Sequence, residues 1–528
     1  MFRNLAAGQA AGLTILPLYF AVIVLIGWLA RSGSRSSRSF LNASHSLPLP
    51  IVVAAYLAAN CGALEMVGLS AMAAQYGVQA FHFYWIGAIP AMIFLALWMM
   101  PVYRRSHIAT VPEYLEKRFG LGVRLLNACI VAVILLLLAG ISLYAMGEVL
   151  EVAIGLSFGL SILFSAGVVL AYILLGGLKA TIYNEVFQLF VMVAGLAPLA
   201  YRACMLLRTG ALTVPERSAH LWRTLPLAST HSPMDQTGII LGLGFVLSFG
   251  YWCTDFVQMQ RAFTARTEQE ARQVPLWAGL GKLCFSLMVV LPGLAAGRLF
   301  PVLQQSQHFD QALPKAMVEL YGPAMFGLGM TAIVASLTSG LAANVCAFAS
   351  VTTNDIYRSY IRQSEDDRHY LRFGRLATVL AILISLCASY INFFFHNLME
   401  HVQLIFSVFG APFWAIFLLG MSTRRTDARG AICGFLSGTA VAVLHLIATT
   451  CGWIHYGSNM NANFHVAIYA FVVAVTVGWF TSDRRMTDHK RHLVFHWRTG
   501  VTGPGRAALF ALSAVLAAAC LALNIYWR

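Results

Sequence analysis

The sequence predicts an all-α polytopic membrane protein of about fourteen transmembrane helices, and three observations predict it. Of the 528 residues, 59% are hydrophobic and 11% charged, with a mean hydropathy of +0.72. Apolar runs long enough to cross a bilayer, about 20 residues each, recur along the whole chain. The basic residues collect in alternate loops between those runs, as expected where cytoplasmic loops retain Lys and Arg. Fourteen spans leave only short connections. That excludes a cytosolic enzyme, a sensor with a catalytic appendage and a nucleic-acid binder, although the net charge is +14.

The spans are read at residues 11–30, 48–74, 81–103, 125–147, 156–175, 181–203, 236–258, 276–297, 321–350, 376–395, 402–420, 430–450, 465–481 and 507–526. The first run, AGLTILPLYFAVIVLIGWLA, lacks a basic stretch ahead of it and is followed by RSGSRSSR, so it reads as a retained helix and not a cleaved signal. With both termini outside, 26 of the 35 basic residues fall in inward loops. The positive-inside rule therefore explains the basic excess without an anionic partner, and the expected location is the plasma (inner) membrane, crossed many times. Most of the ten cysteines lie in or near spans, where they act as small apolar residues, and no CxxC or Cys/His metal spacing occurs.

Function is to be sought where a span carries residues that hydrocarbon rejects. The second span, PLPIVVAAYLAANCGALEMVGLSAMAA, holds Asn60 and Glu65 around Gly62. A helix unwound there frees carbonyls for a cation and turns half-helix dipoles toward a solute; a packed helix with its Asn bonded to a neighbour is the other reading. The seventh span has Gly242, Gly244, Ser248 and Gly250 before Tyr251, Trp252 and Asp255, the second glycine-punctuated span that an inverted repeat requires. Interfacial anchoring is the alternative for its aromatic pair. The eighth span contains Lys282, which costs about 2.5–3.5 kcal/mol at mid-membrane and must face a wet cavity, a partner or, by snorkelling, the inner surface. The ninth, GLGMTAIVASLTSGLAANVCAFASVTTNDIY, is rich in hydroxyls suited to a hard cation or to bonding their own carbonyls. Glu185 and Gln403 are further polar residues within spans.

Five motifs in order, LAANCGALEMVGLS, VPEYLEKRFG, GGLKATIYNEVFQ, YWCTDFVQMQRAFTAR and the serine-rich span ending in DIY, resemble the sodium:solute symporter family, and within it the sodium–glucose and sodium–galactose branch. The resemblance covers roughly residues 10–450. It implies a LeuT-like core of two inverted five-helix repeats, residues 48–203 and 236–420, between an N-terminal helix with its basic loop (1–47) and accessory helices (421–528). It assigns solute contacts to Asn60, Glu65, Tyr251, Trp252, Lys282 and Gln403, with Tyr251 as inner gate. Tyr84 stands where the family has a sugar-binding glutamate, and Ser248 where it has an asparagine.

For the coupling ion, the resemblance implies Na+ on the carbonyls of Ala58 and Cys61, the carbonyl of Ser336 and the hydroxyl of Ser339, while a register slipped by one helical turn would put Ser336 at the hydroxyl position instead. Gly340 stands at the position of a further hydroxyl ligand, for which water or Thr338 is a substitute. Glu185 and Asp255 mark an ion pathway. The implied function is Na+-coupled symport of a small polar solute, a sugar or polyol, by alternating access. Proton coupling through Glu65, Glu185 or Asp255, a uniporter, and a transporter-derived sensor or channel remain alternatives. The partners expected are the solute and the lipid bilayer, with no nucleic acid and no obligate protein. No nucleophile–base pair, metal motif or phosphate loop suggests an enzyme.

Overall fold

The computed structural model describes residues 14–31, 36–42, 47–108, 110–306, 308–394, 397–482, 493–494 and 506–528. The basic loop expected over 484–506 lies almost wholly outside them. The described residues form helices and no strand, as backbone groups in lipid require. The helices that matter here are α1 (Ile15–Ala30), α2 (Leu49–Asn60), α3 (Leu64–Phe81), α4 (Phe83–Arg105), α5 (Val111–Phe119), α6 (Leu121–Ile154), α7 (Phe158–Arg208), α8 (Gly238–Thr254), α9 (Phe256–Ala262) and α10 (Glu268–Leu299). After them come α11 (Pro323–Ile361), α12 (Asp367–Phe394), α13 (Leu398–Ser422), α14 (Ala428–Thr450), α15 (Asn459–Phe480) and α16 (Arg506–Tyr526).

Each expected span falls on one of these helices or on a bent pair. Among the described residues ten helices are long and apolar enough to cross a membrane, or twelve segments when the pairs α2 + α3 and α8 + α9 are each one span. The pairs bend by 58° and 49°. The fifth and sixth expected spans are one 51-residue helix, α7, interrupted at Gly177, whose φ of 57° and ψ of −150° no helix interior adopts. A side chain there would strike Phe40, with Cβ 2.7 Å from its carbonyl oxygen, so this corner requires glycine on both counts.

The two bends have different causes. In the second span Pro48 caps α2 and Pro50 sits in its first turn, and the helix stops at Asn60 because the Gly62 N–H turns to Asn60 O (2.8 Å) instead of Ala58 O. In the seventh span the glycines do not break the helix. Asp255 does: at φ −61° and ψ 128° it ends α8 and caps α9, its carboxylate accepting from the Gln258 N–H at 2.9 Å. The glycines serve packing instead. A Cβ on Gly242 would lie 2.5 Å from Phe464 O, and one on Gly250 3.2 Å from Trp414 Cβ.

The chain divides into two compact units, each interleaving distant segments: Met1–Ala80, Val131–Ala219 and Cys284–Met399 in the first, and Phe81–Ile130, His220–Leu283 and Glu400–Arg528 in the second. In the first, α7 packs on α11 through Gly195, where a Cβ would lie 2.9 Å from Leu328 O. In the second, Gly430, Gly434 and Gly438 form a stripe at four-residue spacing on α14. It lies against Gly478, Ala474 and Ala470 of α15, the close small-residue contact typical of membrane helices.

Candidate functional site

In the first unit the break between α2 and α3 exposes backbone oxygens that a continuous helix would consume. Ala58 O loses its Gly62 partner, and Cys61, at φ −74° and ψ 50°, leaves the helical region altogether. Two hydroxyls of α11 meet these oxygens: Ser336 Oγ donates to Cys61 O at 2.5 Å and Ser339 Oγ to Ala58 O at 3.1 Å. All of α11 from Gly329 to Ala343 is buried. The four residues expected to hold a cation are thus brought together, and their oxygens are hard and neutral, the donor set that a monovalent cation takes.

Two details differ from expectation. Ser336 presents its hydroxyl to the break, not only a backbone carbonyl; the three-residue spacing to Ser339 puts both on one helix face. Thr338 turns away. Its Oγ1 meets Tyr19 Oη at 2.5 Å, donates to its own helix at Val334 O and receives the Gln188 amide at 3.2 Å. It is therefore committed to α1 and α7 and does not substitute for a ligand at position 340. This three-way network escaped sequence reasoning, and the signal for it was Asn184, Glu185 and Gln188 lying along one apolar span. All three are fully buried, and Asn184 holds α1 by donating to Ile23 O at 3.1 Å. Asn60 and Glu65 also belong to this unit, with Cys61 Sγ donating to Glu65 Oε2 at 3.7 Å.

In the second unit Lys282 is fully buried, which removes the snorkelling reading. Its ammonium lies 5.5 Å from the centre of the Trp252 ring and 5.8 Å from that of Tyr84, a cation–π arrangement that offsets part of the cost of burying charge. Tyr84, the departure from the resemblance, thus faces Lys282 with an aromatic ring where a carboxylate is expected. Tyr251 packs edge-on against Trp252 (5.2 Å) and Phe406 (5.4 Å), and its hydroxyl accepts from Gln258 at 3.4 Å. Gln403 lies one turn before Phe406 on α13. Ser248 Oγ fills the space over Gly87, 2.7 Å from where a Cβ would stand. Asp255 is engaged as the cap of α9.

Among the described residues no group of three or more His, Cys, Asp and Glu side chains is placed to hold a metal ion, and all ten cysteines are free. At the break of α2 the buried groups are neutral oxygens, and in the second unit the ammonium of Lys282 is buried against two aromatic rings.

Comparison with known proteins gives one consistent answer. A family model described as "Sodium:solute symporter family" matches residues 40–438. The chain is 26% identical to a sodium/glucose cotransporter of Vibrio parahaemolyticus over 456 residues, covering 81% of this chain and 84% of that one. It is 28% identical to a sodium/mannose cotransporter of Bos taurus (88% and 85% covered) and 25% identical to sodium/myo-inositol cotransporter 2 of Homo sapiens (91% and 78%). Among solved structures, a substrate-bound, outward-open Na+-coupled sialic acid symporter superposes with a TM-score of 0.76 at 18% identity, over 89% of this chain and 97% of that one. Mhp1, a nucleobase-cation-symport-1 family transporter, follows at 0.54 and 12% identity, with 91% and 99% covered. The fold is therefore the LeuT-like helical one of secondary transporters, the activity is transport and not enzymatic catalysis, and the family and these relatives support Na+ as the coupling ion. Matched by its family model over most of its length, this chain belongs to the sodium:solute symporter family.

Proposed function

We propose that the chain carries a sugar or polyol inward with Na+ by alternating access, with both termini outside the plasma (inner) membrane. The observation that supports it most is the pairing of Ser336 and Ser339 hydroxyls with the carbonyls of Cys61 and Ala58. A cation shared by these groups ties α2 to α11 and stabilises whichever conformation keeps them adjacent. The solute, binding that conformation better, is then thermodynamically coupled to the ion. Glu185, fully buried on α7, is the proposed carboxylate of the ion pathway, and Asp255 lies on it at the inner break.

Within the second unit the proposed solute contacts are Lys282, Tyr84, Trp252, Ser248 and Gln403, with Tyr251 as the inner gate. Three aromatic rings and a buried ammonium suit a neutral ring with many hydroxyls: the apolar face stacks and the hydroxyls accept from Lys282 and bond to the amide of Gln403. Asn60 and Glu65 keep the solute-facing roles that the resemblance gives them. The relatives named above carry glucose, mannose and myo-inositol, which supports the same solute class. A screen of radiolabelled sugars, polyols and organic acids in proteoliposomes, with an inward Na+ gradient or with choline, tests the reading. Uptake of a neutral sugar or polyol only with Na+ is expected; uptake confined to organic acids would contradict it.

A further inference from the structure

The coupling helix carries Gly340 one turn beyond Ser336, and the geometry around it is specific. A Cβ on Gly340 would stand 3.2 Å from Gly62 Cα, and one on Gly62 would stand 3.2 Å from Gly340 Cα. The two backbones approach so closely that a side chain at either position would make its neighbour give by a few tenths of an ångström, immediately beside the carbonyl of Cys61. The nearest side-chain atom to that Cβ position is the hydroxyl oxygen of Ser142 on α6, at 3.5 Å. Ser142 is buried within the same unit. Its proton is used along its own helix, donated to Leu138 O at 3.1 Å, and among the described residues no other group is bonded to it. The lone pairs of Ser142 are thus the unused part of a buried hydroxyl standing where a residue at position 340 would project its own.

From this we infer that Ser142 supplies from α6 the oxygen that Gly340 cannot supply from α11, completing the Na+ shell begun by Ala58, Cys61, Ser336 and Ser339. The inference rests on the Na+ site proposed above. It moves one ligand to a third helix, so that the ion joins α2, α6 and α11. Thr338 cannot do this, being bonded to Tyr19, and Cys61 Sγ is turned to Glu65.

The test is Na+ binding by purified protein, read as the Na+-dependent rise in melting temperature in detergent with choline as the balancing cation, alongside the Na+ half-saturation of uptake. Ser142→Ala is expected to raise half-saturating Na+ about 5- to 30-fold, the loss of one oxygen contact, with the melting temperature in choline unchanged. Ser142→Thr keeps the oxygen and is expected to stay within about threefold of the unaltered protein. Wild-type Na+ affinity in Ser142→Ala, or equal weakening in both variants, would overturn the assignment of Ser142. Absence of any Na+ effect on the unaltered protein would instead overturn the site itself.

Discussion

Ser339 donates to Ala58 O across two helices that are far apart in sequence, so truncating it removes a contact that only the assembled coupling site possesses. Ser339→Ala is expected to raise half-saturating Na+ by about 10- to 100-fold, equivalent to roughly 1.5–3 kcal/mol, with little change in melting temperature in choline. Lys282 is the corresponding test for the solute. Lys282→Met keeps much of the stem and removes the ammonium held near Trp252 and Tyr84. Uptake at subsaturating solute should fall about 10- to 100-fold while Na+-induced stabilisation persists, because Ser336 and Ser339 are untouched. Asn60, Lys282 and Glu185 were legible in the sequence because hydrocarbon rejects them. The Ser336 hydroxyl was legible only as the alternative of a register slipped by one helical turn. Serines and threonines such as Ser70, Ser165 and Thr331 bond back to their own helices, and nothing in composition distinguishes them from one that reaches across.

Breaks and close approaches carry the information at the level of helices. The interruption of the second span was legible from Asn60-Cys61-Gly62, since a glycine beside polar residues in an apolar run weakens a helix where it is needed least. The position of the second interruption was not legible, because glycines can equally serve contact with a neighbour and the capping carboxylate of Asp255 decides the matter. Gly177 turns the corner within α7 at positive φ against Phe40. Gly177→Ala is expected to destabilise the protein by about 1–3 kcal/mol, seen as a lower melting temperature with or without Na+. The α14 stripe offers a second test. Gly434→Leu places a branched side chain where even a Cβ would lie 2.6 Å from Ala474 O, so it should lower yield and melting temperature while leaving the Na+ half-saturation of the folded fraction unchanged. Outside the spans, Arg118 on α5 closes the end of α13 by donating to Gly420 O (2.8 Å) and Thr423 O (2.9 Å). Burial lowers its pKa, opposed by Tyr114 and Asp427, and VPEYLEKRFG gave no hint of that role.

Across the whole molecule, hydropathy made the class and the order of spans visible, and the ordered motifs made the family visible. The two interleaved compact units were not, because each is assembled from three separated stretches and periodicity speaks only for neighbours along the chain. Orientation is proposed from the basic loops and has its own check. Cys451 is exposed in the turn after α14, which the proposed topology puts outside. A membrane-impermeant maleimide should label intact cells, and Cys451→Ser should abolish most of that labelling; labelling only after permeabilisation would invert the topology. The central claim is that Na+ held at the break of α2 drives solute uptake. Its most direct test is initial uptake in proteoliposomes under an inward Na+ gradient against an equal choline gradient, for the unaltered chain and for the Ser336→Ala/Ser339→Ala double variant. Concentrative uptake with Na+ alone, lost in the double variant while its melting temperature in choline is kept, is the predicted result. Equal uptake in choline, or a double variant that still concentrates solute with the original Na+ dependence, would contradict it.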